Sequence, residues 1–336
     1  MTIDLTIAIC TYNGANRLPQ VLERLRSQIG TDAFTWEVLV VDNNSTDGTA
    51  ALVRRYSANF LLRYCFEPRQ GIAFARRCAM AQARGEIVGF LDDDNLPTAT
   101  WVAAACRFGH LHPQAGAYGS QIHGKYEIEP PDRFERICCF LPVTERGPDP
   151  LLYGANKGLL PAGAGIVIRK HAWQESVPAH PVLRGVSATS LDSKGEDIES
   201  LTYIRKAGWE IWYNPEMEIE HDIPRSRFER AYLLRFFRGV GLSRYPTRMA
   251  RFELWQRPLL LLLYMGNDLR KFMIYWCRFQ QRRATDVVVA CELQLLWYSA
   301  ISPLYHWQKS LSRRLEQGRK PMGTLSSLFV KPALTD

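Results

Sequence analysis

Between residues 5 and 123, short and almost uninterrupted apolar runs alternate with amphipathic stretches, and few folds accept that order. "LTIAIC" (5–10), "WEVLVVD" (36–42), "LLRYCFE" (61–67) and "EIVGFLD" (86–92) read as strands. They are apolar nearly throughout, as strands are when helices cover both faces of a parallel sheet. Leu18, Val21, Leu22 and Leu25 recur at helical spacing behind Asn16, a candidate cap. Further helices are expected after "NNSTDGT" to about 57 and over 72–84. A β-α-β-α-β order of this kind predicts an α/β fold built on a mainly parallel sheet with helices on both faces.

Residues 124–160, rich in Pro, Gly and charge, read as an irregular insertion. "PAGAGIVIRK" (161–170) returns to strand and leads into a short helix with Trp173. A Gly/Ser-containing loop (184–195) precedes the helix of "GEDIESLTYIRKAG", and "WEIWYNPEMEIEHDIP" (209–224) supplies two short strands. Beyond 225 the strand signals stop. Helices are expected over about 226–242, 250–280 and 284–315, interrupted or kinked by Pro246, Pro258 and Pro303. The expected organisation is one domain over 1–224, a helical region over 225–320 and a flexible tail over 321–336. The 336 residues suffice to bury a large core. Eight Cys without a C-x-x-C pair read as reduced, cytosolic thiols, since adjacent Cys138 and Cys139 suit neither a zinc knuckle nor an ordinary disulfide. "DLTIAIC" opens almost at once, so no secretory leader is expected.

Ligands of an open parallel sheet bind at the carboxyl ends of its strands. Three polar clusters stand at such ends: "TYN" (11–13), "DNNSTDG" (42–48) and "DDD" (92–94). Taken singly, Asp42 and Asn43 serve equally well as turn formers and Asp47 as a helix cap. Their coincidence points to one shared ligand. In an extended segment Asp92 and Asp94 project to one side and Asp93 to the other. Paired carboxylates suit Mg²⁺ or Mn²⁺, hard cations that complete their shell with substrate phosphates, although a solvated turn is the simpler use of three Asp.

"TIAICTYNGANRLPQVLERLRSQ", "EVLVVDNNSTDGT", "RQGIAFARRCAMAQARGEIVGFLDDDNLP" and "GEDIESLTYIRKAGWEIWYNPEMEIEH" follow one another over most of residues 5–221. As a set they resemble the family 2 glycosyltransferases, which bind nucleotide sugars on the Rossmann-like GT-A fold. "GEDIESL…GWEIWYNPEMEIEHDIP" and "RGVGLSRYPTRM" are similar to a cyanobacterial subgroup associated with hormogonium polysaccharide synthesis. The resemblance implies a nucleotide pocket that includes Thr11, Tyr12 and Asn13, with Asp42 on the base and Arg76 on the nucleotide and its phosphates. It makes Asp92, Asp93 and Asp94 the metal-nucleotide motif, with Asp92 and Asp94 toward the metal. It implies Asp197 as catalytic base, Glu196 as its companion, and His221 as a further metal or phosphate contact. Where the family usually shows Asn after the Arg of "ARN", this chain has Arg77, which carries no role over.

The chemistry agrees with those roles. A nucleoside diphosphate leaves readily only once its charge is neutralised, which a divalent ion achieves without proton transfer. Arg76 adds charge-assisted hydrogen bonds. Glu196 and Asp197 also suit the first turn of a helix simply through its dipole. Gly163 and Gly165 permit close backbone approach, but no Lys-Ser/Thr ending makes them a phosphate loop. Trp173, Trp209 and Trp212 fit either sugar stacking or the core.

Charge is divided unevenly: residues 1–224 carry 22 Lys and Arg against 27 Asp and Glu, residues 225–336 carry 20 against 7. A strongly basic helical region calls for an anionic partner. "RFERAYLLRFFRGVGL" sets Phe228, Leu233, Phe236, Phe237 and Val240 largely against Arg227, Arg230 and Arg238. That pattern fits a helix on an anionic membrane, although a helix packed on the catalytic domain has the same one. "LLLLLYM" (259–265) and the run over 287–301 are too short to span a bilayer, and no nucleic-acid motif is present. The expectation is a cytoplasmic enzyme, peripheral on the inner face of the membrane. It would be an inverting, hexosyltransferase-type glycosyltransferase moving sugar from a nucleotide-sugar donor to a saccharide or lipid-linked acceptor in exopolysaccharide or cell-surface polysaccharide synthesis. Its rivals are a non-catalytic nucleotide-sugar-binding subunit and a sugar-1-phosphate nucleotidyltransferase. The latter calls for a Gly-rich, Arg- and Lys-containing opening that "CTYNGANRLPQ" lacks.

Overall fold

A computed structural model describes residues 2–57, 61–154, 159–179, 183 and 194–318. The first half alternates as the apolar runs require: β1 (Ile3–Thr11), α1 (Leu18–Arg26), β2 (Trp36–Asp42), α2 (Thr49–Ser57), β3 (Leu62–Phe66), α3 (Ile72–Gln82) and β4 (Gly85–Leu91). Then follow β5 (Asn95–Pro97), α4 (Trp101–Leu111), β6 (Ala115–Tyr126), β7 (Leu151–Leu152), β8 (Ile166–Arg169), α5 (Lys170–Ser176), α6 (Glu196–Lys206) and β9 (Glu210–Ile223). Among the described residues four α-helices follow: α7 (Arg230–Leu242), α8 (Arg244–Met249), α9 (Arg257–Phe279) and α10 (Val287–Gly318).

One sheet joins the strands in the order β3-β2-β1-β4-β8-β6-β9-β5, with β7 on β9. β3, β2, β1 and β4 run parallel. β8 is antiparallel to both β4 and β6, so the sheet is parallel in its first half and mixed beyond it. Alternate residues of β1 divide the core. Leu5, Ile7 and Ile9 meet Leu18, Val21, Leu22 and Leu25 of α1, with Trp101 and Phe108 of α4, on one face. Ala8 and Cys10 meet Ala75, Ala79 and Met80 of α3 with Leu201 and Ile204 of α6 on the other.

Several sequence expectations shift. α1 is preceded by Arg17, whose side chain makes no cap bond, with Pro at N1/N2, so Asn16 is not the cap. The two strands expected over 209–224 are one strand of 14 residues. Pro215, which lacks an N–H, falls where the register with β6 jumps from Ser120–Asn214 to Gln121–Glu218. The insertion builds a third core, in which Phe134, Ile137 and Leu141 pack with Leu233, Phe236 and Phe237 of α7 and Val288 and Cys291 of α10. α7 is therefore packed on protein. The face read from its sequence as membrane-seeking is covered, and Arg230 donates to the Arg283 carbonyl. Pro258 lies at the start of α9, where its missing N–H costs nothing, while Pro303 lies inside α10.

α10 also runs past the point where its sequence was read as too short to span. Val287–Ser312 contains an 18-residue window of mean hydropathy 1.4, and is long and apolar enough to cross a membrane by length and composition. Of that window 44% is buried inside the molecule. Trp173 and Trp209 pack against one core and Trp212 against the other. All eight Cys are free. Most of the loop expected over 184–195 and the tail over 321–336 lie outside the described residues.

Candidate active site

The ends of β1, β2 and β4 are laced together by the polar residues that follow them. Thr11 donates through Oγ1 to Asp93 Oδ2 at 2.6 Å. Arg17 closes a bidentate pair on the same carboxylate, Nε to Oδ1 at 2.8 Å and Nη2 to Oδ2 at 2.9 Å. Gly14 is required beside them, because a Cβ there would stand 2.0 Å from Thr11 Oγ1. Thr11 and Asp93, expected to meet nucleotide, thus bind each other and frame the turn. Asn13 adopts the left-handed region at φ 50°. Its Oδ1 accepts the Thr46 N–H at 2.8 Å and its own N–H donates to Ser45 Oγ at 2.9 Å. Buried Asp42 accepts the Ser45 N–H on Oδ1 and the Tyr64 hydroxyl on Oδ2, each at 2.8 Å. The half-buried Tyr12 lies between, its carbonyl accepting from Arg17.

After β4 the chain turns back instead of continuing extended. The Asn95 N–H donates to the Asp92 carbonyl at 3.1 Å, and the Asp92 N–H to Asn95 Oδ1 at 3.0 Å. Asp92 and Asp94 share one electrostatic cluster with His221 and Arg227. Burial pushes both carboxyls up to about 6. For Asp92, Arg76 opposes the rise and Asp94 adds to it; for Asp94, Arg227 opposes and Asp93 adds. Asp94 Oδ2 accepts from Arg227 Nη2 at 3.0 Å, and Oδ1 accepts from Asn95 Nδ2 at 3.2 Å.

The same Asn95 amide fixes the chemistry of His221. Its Oδ1 is committed to the Asp92 N–H, so Nδ2 is the atom 2.9 Å from His221 Nδ1. An amide NH₂ only donates, which makes Nδ1 the acceptor and leaves the hydrogen of a neutral ring on Nε2. Burial, and then Arg227, lower the ring's proton affinity to about 4, so it is neutral at pH 7. Nε2 is buried without a hydrogen-bond partner among the described residues. His221, expected as a metal or phosphate contact, thus stands 3.6 Å from Asp94 with its other ring nitrogen buried and open to a ligand.

On the other side stands Arg76, 8% exposed, its Nη1 3.3 Å from Glu196 Oε1 and its Nη2 donating to the Gly163 carbonyl at 3.2 Å. Gly163 separates two functional groups: a Cβ there would stand 2.6 Å from Arg76 Nη2 and 2.7 Å from Asp197 Oδ2. Gly195 at φ 91° turns the chain into α6, so Glu196 and Asp197 open the helix. Burial first, then Asp197, push the Glu196 carboxyl up to about 7, with Arg76 opposing. Asp197 Oδ1 accepts the Ile198 N–H at 2.8 Å, and no hydrogen bond reaches its Oδ2 from a described residue. Lys194 stacks its ammonium 3.8 Å from the centroid of Phe236 on α7, and burial lowers it to about 8. A cleft opens beside these groups, lined by Arg76, Arg77, Glu196, Asp197, Ile166 and Trp173 among others.

Arg76, Asp92, Asp94, Glu196, Asp197 and His221 are thus brought into one charged cluster, while Tyr12, Asn13 and Asp42 form a corner at the ends of β1 and β2. Sequence reasoning missed Arg227 and Lys194. Arg227 stands six residues beyond His221, just past the last strand, and that proximity was the available signal. Among the described residues no three His, Cys, Asp or Glu side chains are grouped to hold an ion by themselves. Asp92 and Asp94 instead fit a cation held by one or two carboxylates and completed by substrate oxygens. Two crowded, buried carboxyls with raised proton affinity are the electrostatic signature of such a site.

Residues 6–165 match the family described as "Glycosyl transferase family 2". The succinoglycan biosynthesis protein ExoM of Rhizobium meliloti (strain 1021) is 26% identical over 240 residues, 69% of this chain and 71% of ExoM. Among solved structures, the mannosyltransferase PcManGT of Pyrobaculum calidifontis, in complex with GDP-Man and Mn²⁺, superposes with a TM-score of 0.55 at 17% identity, over 94% of this chain and 79% of that one. S. aureus TarS 1-349 in complex with UDP-GlcNAc superposes with a TM-score of 0.52 at 12% identity, over 91% and 92%. The fold is GT-A, residues 6–165 match the model of family 2 glycosyltransferases, and the chain is a glycosyltransferase.

Proposed function

We propose that this enzyme transfers a sugar, with inversion, from a nucleoside-diphosphate sugar to a saccharide or lipid-linked acceptor in exopolysaccharide or cell-surface polysaccharide synthesis. The observation that carries the reading is the buried Arg76 standing between two carboxylate pairs, Asp92 with Asp94 and Glu196 with Asp197. One pair suits the leaving diphosphate and the other the incoming hydroxyl. The GDP-Man and Mn²⁺ of PcManGT and the name of ExoM support the donor class and the pathway class. The finer kinship with a hormogonium-polysaccharide subgroup rests on the stretches over 195–224 and 238–249.

In this mechanism Asp94 and Asp92 would hold Mg²⁺ or Mn²⁺, and the ion would supply the positive charge that lets a diphosphate leave without a proton. Arg76, fixed by Glu196 and Gly163, keeps the two halves of the site at constant separation. Asp197 Oδ2 takes the acceptor hydroxyl proton as its oxygen bonds the anomeric carbon, and the bond from that carbon to the diphosphate oxygen breaks on the opposite side. Glu196 is the second candidate base, favoured by a proton affinity near pH 7, where a general base works best. Its ion pair with Arg76 favours the supporting role.

Peripheral attachment to an anionic, cytoplasmic membrane face belongs to the same reading, on a different surface from α7. Leu254, Trp255, Leu259, Leu262 and Leu263, ahead of and along α9, are 60–79% exposed, with Arg270, Lys271 and Arg278 exposed farther along it. An apolar stripe bordered by basic residues is the composition of an interfacial helix.

A panel of UDP-, GDP- and dTDP-sugars, with and without Mn²⁺, tests the function by release of nucleoside diphosphate. Metal-dependent release from one donor class is expected. Binding without turnover on any acceptor would instead make the chain a binding subunit, and nucleotide-sugar formation from a nucleoside triphosphate and a sugar 1-phosphate would make it a nucleotidyltransferase.

A further inference from the structure

Arg227 lies past the last strand of the catalytic sheet, yet it reaches the centre of the candidate site. Its Nη2 donates to Asp94 Oδ2 at 3.0 Å, and its side chain is 30% exposed. The guanidinium also stands 5.9 Å from the centroid of Tyr232, and makes no other hydrogen bond to a described residue. Most of its five N–H donors are therefore uncommitted. In the same cluster, His221 is 2% exposed with its Nε2 donor unpartnered, and its other ring nitrogen is 3.6 Å from Asp94 Oδ1. A buried donor without an acceptor is costly in a folded protein unless a ligand supplies one. A cationic fork on one oxygen of the Asp94 carboxylate, beside a buried imidazole 3.6 Å from the other, describes a place for a polyanion with several oxygens.

We propose that Arg227 is a diphosphate-binding residue of the donor site, held by Asp94 until a divalent cation displaces it from that carboxylate. The proposal rests on the donor reading above. A cation on Asp94 repels a guanidinium only a few ångströms away. The arginine then turns to the phosphate oxygens that the cation gathers, where its planar fork makes two parallel bonds in place of one. His221 Nε2–H completes the corner. Cation and diphosphate binding are thereby coupled: the cation alone must break the Arg227–Asp94 pair, whereas with diphosphate present the arginine gains a new partner. The helical region, through Arg227, becomes a working part of the donor site.

The test measures Mn²⁺ binding to the free protein by electron paramagnetic resonance. It also measures UDP and GDP binding in saturating Mn²⁺ by calorimetry, with uridine and guanosine as controls. Arg227→Gln is expected to bind Mn²⁺ alone more tightly, by roughly 10-fold, and the diphosphate more weakly, by roughly 10- to 100-fold, with nucleoside affinity unchanged. Arg227→Lys, which keeps the charge, is expected to retain the weak Mn²⁺ binding and lose only part of the diphosphate affinity. If both affinities of Arg227→Gln stay at wild-type values, or move in the same direction, the proposal is overturned and the ion pair is structural. A wild-type protein that binds neither diphosphate overturns the donor reading as well, so the two failures are distinguishable.

Discussion

The buried carboxyls of the candidate site hold protons more tightly than they would in an unfolded chain, and that makes a signed statement about stability. Glu196, pushed up to about 7 by burial and then by Asp197, favours folding most while protonated. Its contribution is fully present below the unfolded-chain value near 4.5 and is lost as the pH rises through about 7. Glu196→Gln resembles the protonated form at every pH. Its stability relative to wild type is expected to grow between about pH 5 and 7.5, by ~2–3 kcal/mol, in urea unfolding without divalent cation. A difference independent of pH would mean that Glu196 is not desolvated as described. His221 offers a second residue-scale test. If its Nε2–H serves an anion, His221→Phe is expected to weaken binding of a nucleoside diphosphate in saturating Mn²⁺ several-fold while Mn²⁺ binding to the free protein is preserved. Loss of Mn²⁺ binding itself would place the ring in the ligand set.

Elements were legible from sequence where local and tertiary requirements coincide. β1, β2 and β4 are buried nearly end to end, so a run of apolar residues bounded by turn formers left no other assignment. The donor-side clusters followed, because they stand at the ends of those strands. The reading was weaker wherever the answer depended on what covers a face. α7 carries Phe236 and Phe237 opposite several Arg, and nothing in that periodicity distinguishes lipid from the insertion core that covers it. Two strands were expected over 209–224 where one bulged strand forms, because whether a strand ends or bulges depends on the partner strand. Asp93 and Thr11 were given to the ligand because their hydrogen bond to each other spans 82 positions in the chain. For α9 the apolar outer face implies that Leu259→Gln, Leu262→Gln and Leu263→Gln together leave the unfolding midpoint nearly unchanged. The triple variant should nonetheless abolish flotation with anionic vesicles at low salt. Undiminished flotation would assign membrane contact to another surface, and wild-type protein that never floats would remove it.

At the scale of the whole molecule, the sheet supplies two carboxylate pairs from distant parts of the chain, one after β4 and one opening α6, and holds them apart with Arg76. The helical region is tied into that arrangement through Arg227 on Asp94 and Lys194 against Phe236. The proposed transfer rests on a division of labour in which the first pair would serve the diphosphate and the second the acceptor hydroxyl. The most direct measurement is single-turnover transfer at saturating donor and acceptor by wild type, Asp197→Asn and Glu196→Gln. Asparagine keeps the shape of Asp197 but cannot take the proton. Asp197→Asn is expected to lose on the order of 10²–10⁴ in rate with donor affinity nearly unchanged, and Glu196→Gln to lose less. Near-normal turnover by Asp197→Asn beside an inactive Glu196→Gln would contradict the assignment and transfer the role of base to Glu196.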